Sequence, residues 1–119
     1  MNEPLSLYLH IPFCKTRCAY CDFVTAAGRL NEIGSYVDAL CRETELAAKY
    51  LHSGNSVGTI YFGGGTPSLL SETQVETILS TIQSNYRVQS DAEITLETNP
   101  GDLTDDKYRA LRQIGVNRL

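Results

Sequence analysis

A chain of 119 residues, 42% apolar and 20% charged, fits one globular domain and excludes a disordered or fibrous protein. Its apolar runs break within about eight residues, far short of the ~20 a membrane helix needs, and no apolar signal region follows the first basic residue, Lys15. Ten basic against fourteen acidic residues give a net charge of −4, no footing for binding nucleic acid or anionic lipid, and a cytoplasmic chain is expected.

In chain order, residues 6–11 alternate as a strand, with Leu7, Leu9 and Ile11 on one side and Tyr8 and His10 on the other. Pro12 and a cysteine-rich loop are expected to end it. Apolar residues at 33, 36, 37, 40, 41, 47, 48 and 51 form the stripe of a helix from Ile33 to Leu51. A second strand over 57–62 is rich in β-branched and aromatic residues and stops at Gly63, Gly64 and Gly65. Ser71 then caps a helix, with Gln74 completing a capping box and Val75, Ile78, Leu79, Ile82 and Tyr86 on its buried face. A third strand over 93–98 stops at Asn99, Pro100 and Gly101. Thr104 caps a third helix, Asp105 and Asp106 suit its positive N-terminus, and Leu103 can staple onto Tyr108. Gly115 suits the residue just past that helix, and 116–119 begin a fourth strand.

Strand–helix units in this order predict an α/β fold with a parallel sheet. Stopping four residues into a strand, residues 1–119 are expected to be part of a longer domain. A sheet left open in this way exposes an edge that invites association.

Ligands of parallel α/β folds bind at the carboxyl ends of the strands. The cysteine loop follows strand one, the glycine run follows strand two, and Glu97 ends strand three, so all three features fall on one rim. Cys14, Cys18 and Cys21 have the spacing C-x3-C-x2-C. Three thiolates from one loop can hold three irons of a cubane cluster and leave the fourth open, whereas electron-transfer clusters normally take four thiolates. Lys15 and Arg17 favour deprotonation of the neighbouring thiols. The competing reading is a structural zinc site completed by His10 or Cys41, but the distant second ligand pair typical of such sites is missing.

The run 61–68 is neither a Walker loop nor a G-x-G-x-x-G, and read alone it is either a tight turn or a place where backbone approaches a ligand. Glu97 is either a solvated strand end or an acceptor for ribose hydroxyls or an ammonium. Tyr8 and His10 read as packing residues with satisfied polar tips. Cys41 lies on the helical stripe as a core thiol.

Tyr8 through Cys14, the three-cysteine loop with Tyr20 before its last cysteine, the run 63–67 and the run 97–100 together resemble the radical S-adenosylmethionine (SAM) family. The resemblance is greatest to oxygen-independent coproporphyrinogen III oxidases and the related HemW haem chaperones, and it covers essentially the whole chain. It implies the N-terminal part of a partial, TIM-like (β/α) barrel, the rest of the barrel and a C-terminal domain lying beyond residue 119. It implies a [4Fe–4S] cluster on Cys14, Cys18 and Cys21, with SAM on the open iron and in contact with Tyr8, Tyr20, Gly64, Gly65, Thr66 and Glu97. Reductive cleavage of SAM to a 5′-deoxyadenosyl radical would follow. Haem or a porphyrin, an electron donor such as a flavodoxin or ferredoxin, and a haem-acceptor protein are the implied partners. The oxidases carry one more cysteine two residues after the third; here that position is Phe23, which resembles the chaperone group.

Overall fold

The computed structural model describes residues 3–14, 26–27, 30–51, 55–99 and 101–119. The expectations for Lys15, Arg17, Cys18, Tyr20, Cys21, Phe23 and Pro100 fall outside these residues.

Strand β1 (Leu5–Ile11) is followed by two short strands, β2 (Phe13–Cys14) and β3 (Ala26–Ala27). A 3-10 turn (Leu30–Glu32) leads into helix α1 (Ile33–Tyr50), and then come β4 (Ser56–Gly64) and a second 3-10 turn (Pro67–Leu69). Helix α2 (Glu72–Asn85), β5 (Arg87–Leu96) and α3 (Asp105–Gln113) complete the order. The main sheet is parallel in the order β1-β4-β5, and β2 pairs with β3 in a second, two-stranded sheet. Where a fourth strand is expected, the structure has a single parallel bridge between Thr95 and Arg118, with the Leu96 amide donating to the Arg118 carbonyl at 3.1 Å.

Register sets the two faces. Leu9 pairs with Phe62 and Phe62 with Leu96; Tyr8 pairs with Tyr61 and Tyr61 with Thr95. Side chains alternate along each strand, so Leu9, Phe62 and Leu96 share one face. Ile33 and Val37 of α1, Val75, Ile78 and Ile82 of α2, and Leu111 of α3 bury that face in a continuous core. The face bearing Tyr8 carries none of these helices, and Tyr8 is 56% exposed, which corrects its reading as a packing residue.

Local signals act as expected at both later helices. The Ser71 hydroxyl accepts from the Gln74 amide and the Gln74 side chain accepts from the Ser71 amide, closing the capping box. Thr104 accepts from the Lys107 amide, and Gly115 adopts φ +122° just past α3. Ser71→Ala is expected to cost about 1 kcal/mol, read from urea denaturation midpoints; no loss would mean that core packing alone sets where α2 starts. In α1 the buried stripe includes Thr44, whose hydroxyl donates to the Leu40 carbonyl and so satisfies itself within the helix. Tyr86 is the residue following α2 and not a member of its buried face; half-buried, it donates to the Thr44 carbonyl and ties the end of α2 to α1. Among the described residues no helix is long and apolar enough to cross a membrane.

Candidate functional site

The first strand ends at Ile11, before Pro12 as expected, but hydrogen bonding to the glycine run does not stop there. Proline lacks an N–H, yet its neighbours' carbonyls can still accept. The Gly65 amide donates to the Ile11 carbonyl at 2.8 Å and the Thr66 amide to the Phe13 carbonyl at 2.7 Å. Pairing therefore continues on both sides of Pro12, and Cys14 sits on a strand, buried, instead of in the loop where the sequence reading puts it.

The glycine run makes this approach possible. A methyl carbon on Gly65 would lie 2.6 Å from the Phe13 carbonyl oxygen, 2.9 Å from Cys14 Sγ and 3.0 Å from the Pro12 carbonyl carbon. Gly64 has φ +114°, and a methyl carbon there would lie 2.8 Å from the His10 ring. The space left by these absent side chains is thus taken by β1 and β2. The run acts as a zipper that holds Cys14 against the end of β4.

Glu97 arrives from the other side, just past β5, its amide donating to the Phe62 carbonyl at 3.0 Å. One carboxylate oxygen accepts from the Tyr61 hydroxyl at 2.6 Å and the other from the Gly64 amide at 3.1 Å. Tyr61 stacks on Tyr8, with ring centroids 6.0 Å apart and planes 18° apart. The Tyr8 hydroxyl in turn meets His10 Nδ1 at 3.2 Å. The hydrogen bond to Glu97, then burial and the Glu97 charge, push the Tyr61 phenol above its ordinary pKa; burial and the Glu97 charge do the same to Tyr8. Both phenols therefore remain protonated at neutral pH.

A cleft of about 280 Å³ opens beside Glu97, lined by Gly65, Thr66, Glu97, Thr98, Asn99 and Leu119. The Thr66 hydroxyl accepts from Asn99 Nδ2 at 3.5 Å. The structure therefore brings together Tyr8, Gly64, Gly65, Thr66, Glu97 and Cys14. Of the expected ligand set, Cys18, Cys21 and Tyr20 lie outside the described residues, within which no three His, Cys, Asp or Glu side chains group as a metal site.

Of the expected cluster ligands Cys14 is the one among the described residues, and its buried thiol suits that role. Cys14 is buried and in no disulfide, and each Glu97 oxygen accepts one hydrogen bond from the protein and keeps further lone-pair capacity. Cys41 is half-buried against the core on α1. Sequence reasoning missed Tyr61; the signal was its place directly opposite Tyr8 once the two strands are aligned in parallel.

The radical SAM superfamily pattern matches residues 8–119. The chain is 42% identical over 118 residues to the heme chaperone HemW of Escherichia coli (strain K12), covering 98% of this chain and 31% of that protein. It is 40% identical over 122 residues to the heme chaperone HemW of Synechocystis sp., covering 98% and 29%. The solved coproporphyrinogen III oxidase (HemN) from Escherichia coli, described as a radical SAM enzyme, matches with a TM-score of 0.89 and 36% identity over 98% of this chain and 27% of that one. The chain spans about 30% of the length of the curated relatives it matches. With the pattern running from Tyr8 to Leu119, the chain belongs to the radical SAM superfamily.

Proposed function

We propose that residues 1–119 are the N-terminal portion of a radical SAM core domain whose role is that of a HemW-type haem chaperone. Cys14, Cys18 and Cys21 hold a [4Fe–4S] cluster, and Tyr8, Tyr20, Gly64, Gly65, Thr66 and Glu97 receive SAM. The observation that carries this reading is the pair of backbone bonds from Gly65 and Thr66 to either side of Pro12, which fixes Cys14 beside the glycine run. When bound, cluster and SAM together supply one-electron cleavage of a sulfonium. The protein's share is geometric. Gly64 and Gly65 bring backbone to the cysteine, Glu97 presents acceptor lone pairs to ribose hydroxyls or an ammonium, and the stacked tyrosines cover the open face of the sheet.

Phe23, where the oxidases carry a further cysteine, favours the chaperone, with haem or a porphyrin as ligand, a haem-acceptor protein as recipient and a flavodoxin or ferredoxin as electron donor. The close match to the solved oxidase favours coproporphyrinogen III oxidase as the second reading. The test is anaerobic reconstitution followed by iron and sulfide analysis, then electron paramagnetic resonance (EPR) of the reduced protein with and without SAM. About four irons per chain and a signal altered by SAM are expected. Tightly held zinc in place of iron would remove the radical SAM chemistry from this chain. A haem titration read in the Soret band, run beside a coproporphyrinogen turnover assay, separates the two readings.

A further inference from the structure

We propose that Tyr61 is a positioning residue for Glu97. Its hydroxyl and the Gly64 amide clamp the two carboxylate oxygens and leave the remaining lone pairs for a ligand bearing hydroxyl or ammonium groups in the adjoining cleft. The inference rests on the assignment of Glu97 to SAM binding and adds a residue to it.

Three features fix Tyr61. Its ring stacks on Tyr8, its register neighbour. Gly63 leaves room for that stack, since a methyl carbon there would lie 2.8 Å from Tyr61 Cε1 and 2.9 Å from Tyr8 Cε1. The 2.6 Å O–H···O contact with Glu97 is in the short range of a hydrogen bond to an ionised acceptor. A purely structural tie between β4 and β5 is not needed here, because the Glu97 amide already continues that ladder to the Phe62 carbonyl. A carboxylate held at both oxygens loses the freedom to rotate, so the ordering cost a ligand would otherwise bear is already met. The raised phenol pKa keeps the Tyr61 proton available to the carboxylate.

Tyr61→Phe removes the hydroxyl and keeps the ring on a partly exposed strand position. Cluster-loaded parent, Tyr61→Phe, Glu97→Gln and the double variant are titrated with SAM, following the EPR of the reduced cluster. Each single variant is expected to bind SAM about tenfold more weakly. The double variant should bind no more weakly than Glu97→Gln alone, since the amide offers one acceptor oxygen where the two donors of the clamp need two. Before SAM is added, the EPR signal should match the parent, with a thermal midpoint within about 3 °C of it. Parent-like binding by Tyr61→Phe beside weakened binding by Glu97→Gln would overturn the clamp and leave the Glu97 assignment standing. Unchanged affinity in Glu97→Gln would remove that assignment. Additive losses in the double variant, or an altered signal before SAM, would also overturn the clamp, because Tyr61 would then act independently or on the fold.

Discussion

Gly65→Ala is expected to destabilise the protein by about 3 kcal/mol and to prevent stable cluster assembly. The added carbon would lie 2.6 Å from a backbone oxygen and 3.0 Å from a backbone carbon, both on the β1–β2 segment that Gly65 itself hydrogen-bonds. Neither neighbour is the free end of a flexible side chain, so relief requires the strands to part. Overpacking of this kind costs roughly 1–3 kcal/mol, and parting would also lengthen the Gly65–Ile11 and Thr66–Phe13 bonds. The third neighbour is Cys14 Sγ at 2.9 Å, so the same displacement moves the proposed cluster ligand. Gly34→Ala is the control: nothing lies within 4 Å of the added carbon, and alanine in a helix is favoured by a few tenths of a kcal/mol or more. Urea denaturation and iron content of both variants check the contrast. A loss under about 0.5 kcal/mol for Gly65→Ala would mean that β2 yields freely, and the zipper would no longer explain where Cys14 sits.

The elements most legible in the sequence are those whose cause is local. Ser71 with Gln74, Thr104, and Gly115 act within one turn of their own position, and all three stand where the sequence puts them. The start of β5 was not legible. The segment from Arg87 to Ala92 is largely polar and shows no alternation, and its pairing with β4 shifts register, with Val57 opposite Val88 but Thr59 opposite Glu93. The short strand holding Cys14 was hidden for another reason. Pro12 reads as a stop, but the pairing beyond it uses carbonyls as acceptors, with donors more than fifty residues later in the chain. Tyr8 reads as packing because aromatic strand residues usually are half-buried, and its exposure depends on where the helices dock. The Tyr61–Glu97 bond spans 36 residues and exists only once the register of two parallel strands is set. Local chemistry could name Glu97; it could not name the residue that holds it.

Cys14→Ala is expected to lower bound iron from about four per chain to near zero, while Cys41→Ala leaves it unchanged. The two thiols differ in what surrounds them. Cys14 follows Pro12 on a strand held by the Gly65 and Thr66 amides, on the same rim as Glu97 and the glycine run. Cys41 lies on the middle of α1 among the side chains packed against the core, so its truncation removes a small apolar contact worth about 1 kcal/mol and no ligand. Cys18→Ala and Cys21→Ala should behave as Cys14→Ala does, because the proposed cubane, held by three thiolates, would not survive the loss of a third of its anchors. Iron and acid-labile sulfide measured after identical anaerobic reconstitution decide the matter, with thermal midpoints of the metal-free proteins showing that each variant still folds. Iron lost from Cys41→Ala as well would mean four protein ligands and no open iron. SAM would then have no metal position to occupy, and the bond network around Glu97 would need a different ligand.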